Sequence, residues 1–188
     1  MHRFTILISG GGGLMRRVAE AACEPGATFA VDRVIASRAD AGGLEHARSL
    51  GISIAVAGPL DVWSAVEFGG APQTILMLGW LQLIEIPTRW AGRVINVHPS
   101  LLPKFGGRGM YGRHVHDAVL RSGERITGFT FHAATNEYDA GPVLHQERVP
   151  ILKGDTAETL QARVIEAEHR AIVPFLNRWV AARAKVAA

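Results

Sequence analysis

At 188 residues, with 48% hydrophobic and 20% charged side chains, the chain has the make-up of a globular protein with one well-covered core, and it is short for two. A formal charge of +3 spread over scattered basic residues, with Arg16-Arg17 the one adjacent basic pair, makes nucleic acid a poor default partner. The lone Cys23 excludes an intramolecular disulfide and a multi-cysteine metal site; no apolar run approaches transmembrane length and no basic-apolar-small leader opens the chain, so a cytoplasmic protein is expected.

In chain order, "FTILIS" is a short apolar run rich in β-formers that stops at the glycines 10–13, as a buried parallel strand would. A helix-like segment follows from about residue 14 to 22. "FAVDRVIAS" and "TILMLG" read as further strands, with the helical pattern "ADAGGLEHARSLG" between them. This alternation predicts an α/β protein with a Rossmann-like, mostly parallel twisted sheet and helices on both faces. "RVINV" is the next strand, and ligands in open α/β sheets sit beyond the carboxyl ends of such strands. "ITGFTFHAAT" and "PVLHQERVPI" form a later strand pair joined by "NEYDAG". From Asp155 a long helix is expected, with Asp155 as N-cap and Glu158 three residues on. Leu160, Val164, Ala167 and Ala171 recur in it at helical spacing, and Pro174 should kink or break it. Without repeats, low-complexity tracts or a linker, residues 1–188 are expected to form a single domain.

Three constellations carry chemistry. The glycine run, between strand and helix, lets backbone N–H groups approach an anion at a helix N-terminus, but it is equally a bare tight turn. It fails the dinucleotide fingerprint because Met15 stands where the third glycine belongs, and it lacks the Lys-Ser/Thr of a P-loop. Asn96 and His98 flank Val97, so in an extended segment both side chains point the same way before Pro99 ends the strand. An amide can donate to a developing oxyanion and an imidazole can move a proton near neutrality; the same pair also serves to satisfy loop backbone. Asp139, before Ala-Gly-Pro, is by itself an ordinary turn residue. His114, His116, His132 and His145 match no familiar zinc spacing, and no metal is expected. Lys104, Arg108 and Arg113 among the glycines of "KFGGRGMYGRH" form either a lid over an anionic ligand or a solvated surface loop.

Taken together, "ILISGGGG", "LGWLQLI", "AGRVINVHPSLLPKFGGRGMYG", "GFTFHAATNEYDAGPVLHQERVPI" and "VIEAEH" resemble, in the same order and over nearly the whole chain, the phosphoribosylglycinamide formyltransferases of purine synthesis. The centre of the resemblance is N-x-H-P-S-L-L-P followed about forty residues later by D-x-G-P-V, a pattern of enzymes that use 10-formyltetrahydrofolate. The resemblance implies that Asn96 hydrogen-bonds the formyl oxygen and that His98 assists the charged tetrahedral intermediate. Asp139 would orient His98 and help relay the proton. It further implies that Gly11, Gly12, Gly13 and Pro99 hold the phosphate end of a ribonucleotide and Glu168 its ribose. Leu81, Gln82, Leu83, Ile84, Ala134 and Glu137 would wall the folate. The partners implied are small molecules, with the protein a monomer or homodimer and no membrane or nucleic acid involved.

The chain departs from that family in three places. Gly13 and Leu14 stand where a Ser-Asn pair usually serves the phosphate, Gln82 replaces a usual arginine on the folate side, and the stretch 51–74 is shorter, as if a helix had been trimmed. The acceptor is therefore open: glycinamide ribonucleotide, another amine, or water in a formyl-folate hydrolase. A catalytically idle folate- or nucleotide-binding protein is the reading from another class, and retention of Asn96, His98 and Asp139 together argues against it.

Overall fold

A computed structural model describes residues 1–68 and 72–186. Its elements are β1 (His2–Ile8), α1 (Gly13–Ala22), β2 (Phe29–Ala36), α2 (Gly43–Ser49), β3 (Ser53–Val56), α3 (Val62–Glu67), β4 (Thr74–Met77), β5 (Val94–His98), α4 (Arg113–Arg121), β6 (Ile126–Ala133), β7 (Val143–Pro150) and α5 (Ala157–Val186). The strands run β3-β2-β1-β4-β5-β6-β7 in one mostly parallel sheet. The chain divides into two compact units, residues 1–85 with 171–188, and residues 86–170.

In the first unit β1 pairs in parallel with β2 on one side and β4 on the other. Both faces of β1 are covered, since Phe4, Ile6, Leu7 and Ile8 are fully buried, which is why its sequence is apolar without alternation. α1 buries Met15, Val18 and Ala19, one face at i, i+3, i+4. Gly12 caps α1 in the left-handed region, at φ 69°, and a Cβ there would come within 2.8 Å of the Gly43 Cα. Glycine at 12 therefore serves both the turn and the close approach of α2. The stretch 51–74 keeps the short β3 and the six-residue α3, and residues 69–71 lie outside the described residues.

In the second unit β5 pairs antiparallel with β6, and β6 with β7. Here the expected strand pair forms, and α4 follows the glycine-rich loop.

Two expectations for the last helix need correction. Asp155 does not cap it. Thr156 and Thr159 form the reciprocal pair instead, each hydroxyl accepting the other's backbone N–H, at 2.9 and 3.3 Å. Asp155 is drawn to the Arg163 guanidinium at 2.7 and 2.8 Å and to the Leu152 N–H at 2.7 Å, a stronger set of charged partners than a single helix N–H. Of the kink or break expected at Pro174, the break does not occur, and the helix runs on to Val186. The proline removes one backbone bond, whereas Ala171, Ile172, Phe175 and Leu176 around it are buried and hold both turns in place. Leu160, Val164, Ala167 and Ala171 are all buried, as their spacing requires. Among the described residues no helix is long and apolar enough to cross a membrane.

Candidate active site

The second unit brings three polar side chains of the sequence reading together. The β5–β6 register sets Asn96 opposite His132 and His98 opposite Thr130, so these four side chains share one face of the sheet. Asp139, from the β6–β7 connection, meets them there. His98 Nδ1 lies 3.3 Å from Asp139 Oδ2, and Asn96 Nδ2 donates to Asp139 Oδ1 across a long 3.4 Å. Asn96 Nδ2 also faces His132 Nε2 at 3.0 Å, and that nitrogen is 3.6 Å from Asp139 Oδ1. His132 Nδ1 donates to the Ala133 carbonyl at 3.2 Å. A carbonyl only accepts, so Nδ1 holds the proton of the neutral His132 ring and Nε2 takes the Asn96 N–H.

Backbone groups complete the cluster. The Gly107 N–H donates to Asp139 Oδ2 at 2.9 Å, and the Phe105 carbonyl meets His98 Nε2 at 2.8 Å. Phe105 reaches that place with φ 57°, a conformation a bulky side chain rarely adopts. Its ring packs on the buried cluster of Val115, Val119 and Leu160, which holds the strained residue in position. At Gly106 a Cβ would stand 2.6 Å from Leu102 Cδ2 and 3.1 Å from Asp139 Cβ, so a larger residue here would have to push the Leu102 side chain aside and press on Asp139.

Burial alone would raise the Asp139 carboxyl. The neighbouring rings of His132 and His98, the charge of His98 and the Gly107 N–H outweigh it and hold the group well below the usual carboxylate range. Asp139 is thus an ionised acceptor at neutral pH. His98, 3% exposed, has an acceptor at each ring nitrogen, Asp139 at Nδ1 and the Phe105 carbonyl at Nε2. His116 on α4 is buried as well; burial first and the charge of His98 second push it down to about 4 against the opposing pull of Asp117, so it is neutral at pH 7. This arrangement offers two N–H donors beside an ionised base, which suits an oxyanion and a proton relay.

The other expected site residues are placed as follows. Pro99 directly follows β5, and Glu168 lies on α5 at 8% exposure, with burial pushing its carboxyl up to about 8. Ala134 donates its N–H to the Val94 carbonyl at 2.8 Å, and Glu137 is exposed. Lys104 and Arg113 are occupied in surface ion pairs, Lys104 with Glu124 at 2.6 Å and Arg113 with Glu158 at 2.5 Å, while Arg108 is exposed. In the first unit Gly11 and Gly13 are exposed, and no side chain caps α1. Leu81, Gln82 and Leu83 are exposed, whereas the Ile84 side chain is packed away at 2% exposure and leaves only its backbone to offer. The Leu81 N–H is held by Ser9 Oγ at 3.1 Å. Among the described residues no group of three or more His, Cys, Asp or Glu side chains is placed to hold a metal ion.

Sequence reasoning weighed His132 only as a metal ligand and missed its place beside Asn96. The available signal was a lone imidazole in the strand "GFTFHAA", but its partner follows from the β5–β6 register. The contributions of Phe105 and Gly107 are backbone atoms, which leave no residue-type signature.

Comparison with known proteins then bears on what this cluster does. The model of the formyl transferase family matches residues 2–176. The chain is 36% identical over 187 residues to the chloroplastic phosphoribosylglycinamide formyltransferase of Arabidopsis thaliana, covering 93% of this chain and 64% of that protein, so it spans less than two thirds of that relative's length. It is 34% identical to the phosphoribosylglycinamide formyltransferase of Escherichia coli strain K12, covering 94% of this chain and 85% of that one. The crystal structure of the Brucella melitensis phosphoribosylglycinamide formyltransferase superposes with a TM-score of 0.85 at 36% identity, covering 96% of both chains.

Proposed function

The chain belongs to the formyl transferase family, and from that membership we propose that it transfers a formyl group from 10-formyltetrahydrofolate to the amine of glycinamide ribonucleotide, a step of purine synthesis. The observation that carries this reading is the convergence of Asn96, His98 and Asp139 at the end of β5. Formyl transfer to an amine needs an oxyanion donor and a path for one proton, and it needs no covalent nucleophile.

In this account the acceptor nitrogen attacks the formyl carbon and its carbonyl oxygen becomes an oxyanion. Asn96 and His98 donate to that oxygen. The Asn96–Asp139 bond at 3.4 Å is the weakest in the cluster, and it is the one an incoming oxygen replaces at least cost. For His98 Nε2 the exchange is against the Phe105 carbonyl. The attacking nitrogen gives up one proton, the folate N10 gains one as its bond to carbon breaks, and Asp139 with His98 relays it. His132 fixes the amide of Asn96 from the other side.

The remaining contacts are part of the proposal. Gly11, Gly12, Gly13 and Pro99 serve the acceptor's phosphate, and Glu168 serves its ribose hydroxyls. Leu81, Gln82, Leu83, Ile84, Ala134 and Glu137 serve the folate, in part through backbone groups. Lys104, Arg108 and Arg113 belong to a loop over the anionic ligand. Residues 1–188 act as one formyltransferase domain in the cytoplasm, as monomer or homodimer, on small-molecule substrates. One observation favours a second reading, a different amine acceptor: Gly13 and Leu14 bring no side-chain donor to the phosphate loop.

The test is release of tetrahydrofolate from 10-formyltetrahydrofolate with and without glycinamide ribonucleotide. Release that depends on the acceptor supports the proposal. Acceptor-independent release makes the protein a hydrolase, and no release in either case points to another amine or to a binding protein.

A further inference from the structure

We infer that Thr130 and Gln146 are positioning residues for His98, an assignment that rests on the formyl-transfer reading above. The register places His98, Thr130 and Gln146 in one row across β5, β6 and β7. Thr130 is fully buried, and its hydroxyl donates to the Ser100 carbonyl at 2.6 Å and accepts the Leu102 N–H at 3.1 Å. Its single proton is thereby committed, so the amide nitrogen of Gln146 must be the donor in the 2.9 Å contact between them. The same nitrogen donates to the Leu102 carbonyl at 2.9 Å. The two side chains thus take up both backbone groups of Leu102 and the carbonyl of Ser100.

That peptide segment leads straight to the His98 contact. The Ser100 hydroxyl donates to the Lys104 carbonyl at 2.6 Å, and the next carbonyl, that of Phe105, is the one on His98 Nε2. With Thr130 and Gln146 in place the loop is stapled to the sheet at Ser100 and Leu102, which fixes where the Phe105 carbonyl lies. Without them Leu102 has two unpaired backbone groups, the loop shifts to recover them from water, and His98 loses the acceptor that fixes its ring.

Thr130→Val keeps the shape and removes the hydroxyl; Thr130→Ser keeps the hydroxyl. Gln146→Met, on the more exposed edge strand, serves where Thr130→Val does not fold. In nitrogen-15 spectra of the ligand-free protein, with His98 assigned by its loss in His98→Ala, Thr130→Val is expected to move the His98 ring signals, Thr130→Ser to restore them, and exposed His114 to stay put. In kinetics Thr130→Val is expected to lower kcat about tenfold with KM for both substrates within about twofold, and to cause no further loss on a His98→Ala background. Unmoved His98 signals in a folded Thr130→Val or Gln146→Met protein would overturn the assignment, as would an equal loss of kcat on the His98→Ala background. A wild type that transfers no formyl group refutes the functional reading alone, because the spectra still decide this one.

Discussion

Asp139 and His98 meet at 3.3 Å between a carboxylate oxygen and Nδ1, and each is also held by the same short stretch of backbone, Asp139 by the Gly107 N–H and His98 by the Phe105 carbonyl. The pair is therefore built into the loop that follows β5, and its energetics are open to measurement.

The folded Asp139 carboxyl titrates below its unfolded value, so its stabilisation is present above about pH 4 and is lost as pH falls through the folded pKa. Asp139→Asn is expected to cost about 1–3 kcal/mol at neutral pH, the usual size for a buried charged hydrogen bond, and the deficit should shrink in acid. Urea unfolding at about pH 7 and about pH 3 checks this. An equal deficit at both would show that the charge is not what matters.

Glu168 has the opposite sign. Burial raises its carboxyl from 4.5 to about 8, so between those values the unfolded chain releases a proton that the folded protein keeps, and stability falls as pH rises. At about 1.4 kcal/mol per pKa unit, Glu168→Gln should be more stable than wild type by on the order of 2–4 kcal/mol above pH 8 and equal to it near pH 4.5. Thermal unfolding at the two pH values tells whether the slope belongs to this group.

Gly106→Ala is expected to damage both stability and turnover. Its Cβ would press on Leu102 Cδ2 and Asp139 Cβ, and overpacking of this kind costs about 1–3 kcal/mol. Turnover should fall by on the order of tenfold or more, because the residue pressed on is the one that carries the carboxylate. A variant with wild-type Tm and kcat would mean that the loop yields freely.

The glycine loop of the first unit has only backbone N–H groups and the helix dipole to offer a phosphate. Calorimetric titration of glycinamide ribonucleotide is expected to show binding to wild type and tighter binding to Gly13→Ser/Leu14→Asn, since each side-chain donor to a charged oxygen is worth roughly 1.5–3 kcal/mol. Binding gained only by the double variant would mean that the natural acceptor lacks this phosphate.

Much of this was legible in the chain. The apolar runs of β1 and β4 are buried strands because both faces of the sheet are covered there, and the same-side spacing of Asn96 and His98 follows from the two-residue period of β5. What escaped depends on pairings that residue types do not encode. His132 and Thr130 reach the site through the β5–β6 register, and Gln146 through the β6–β7 register, over separations of some thirty-five and sixteen residues. β3 and α3 are only four and six residues long, too short for a periodic pattern to stand out. At the start of α5 the charge of Arg163 competed for Asp155 and left the cap to Thr156, a contest decided eight residues away.

The central claim is that the cluster at the end of β5 performs formyl transfer, and the most direct test is the single-turnover rate from 10-formyltetrahydrofolate to glycinamide ribonucleotide at saturating enzyme, wild type beside His98→Ala and Asn96→Ala. Each variant should fold normally, bind both substrates, and transfer the formyl group on the order of a hundredfold or more slowly, the size expected when an oxyanion donor or a proton-transfer group is removed. A His98→Ala rate close to that of wild type would contradict the account.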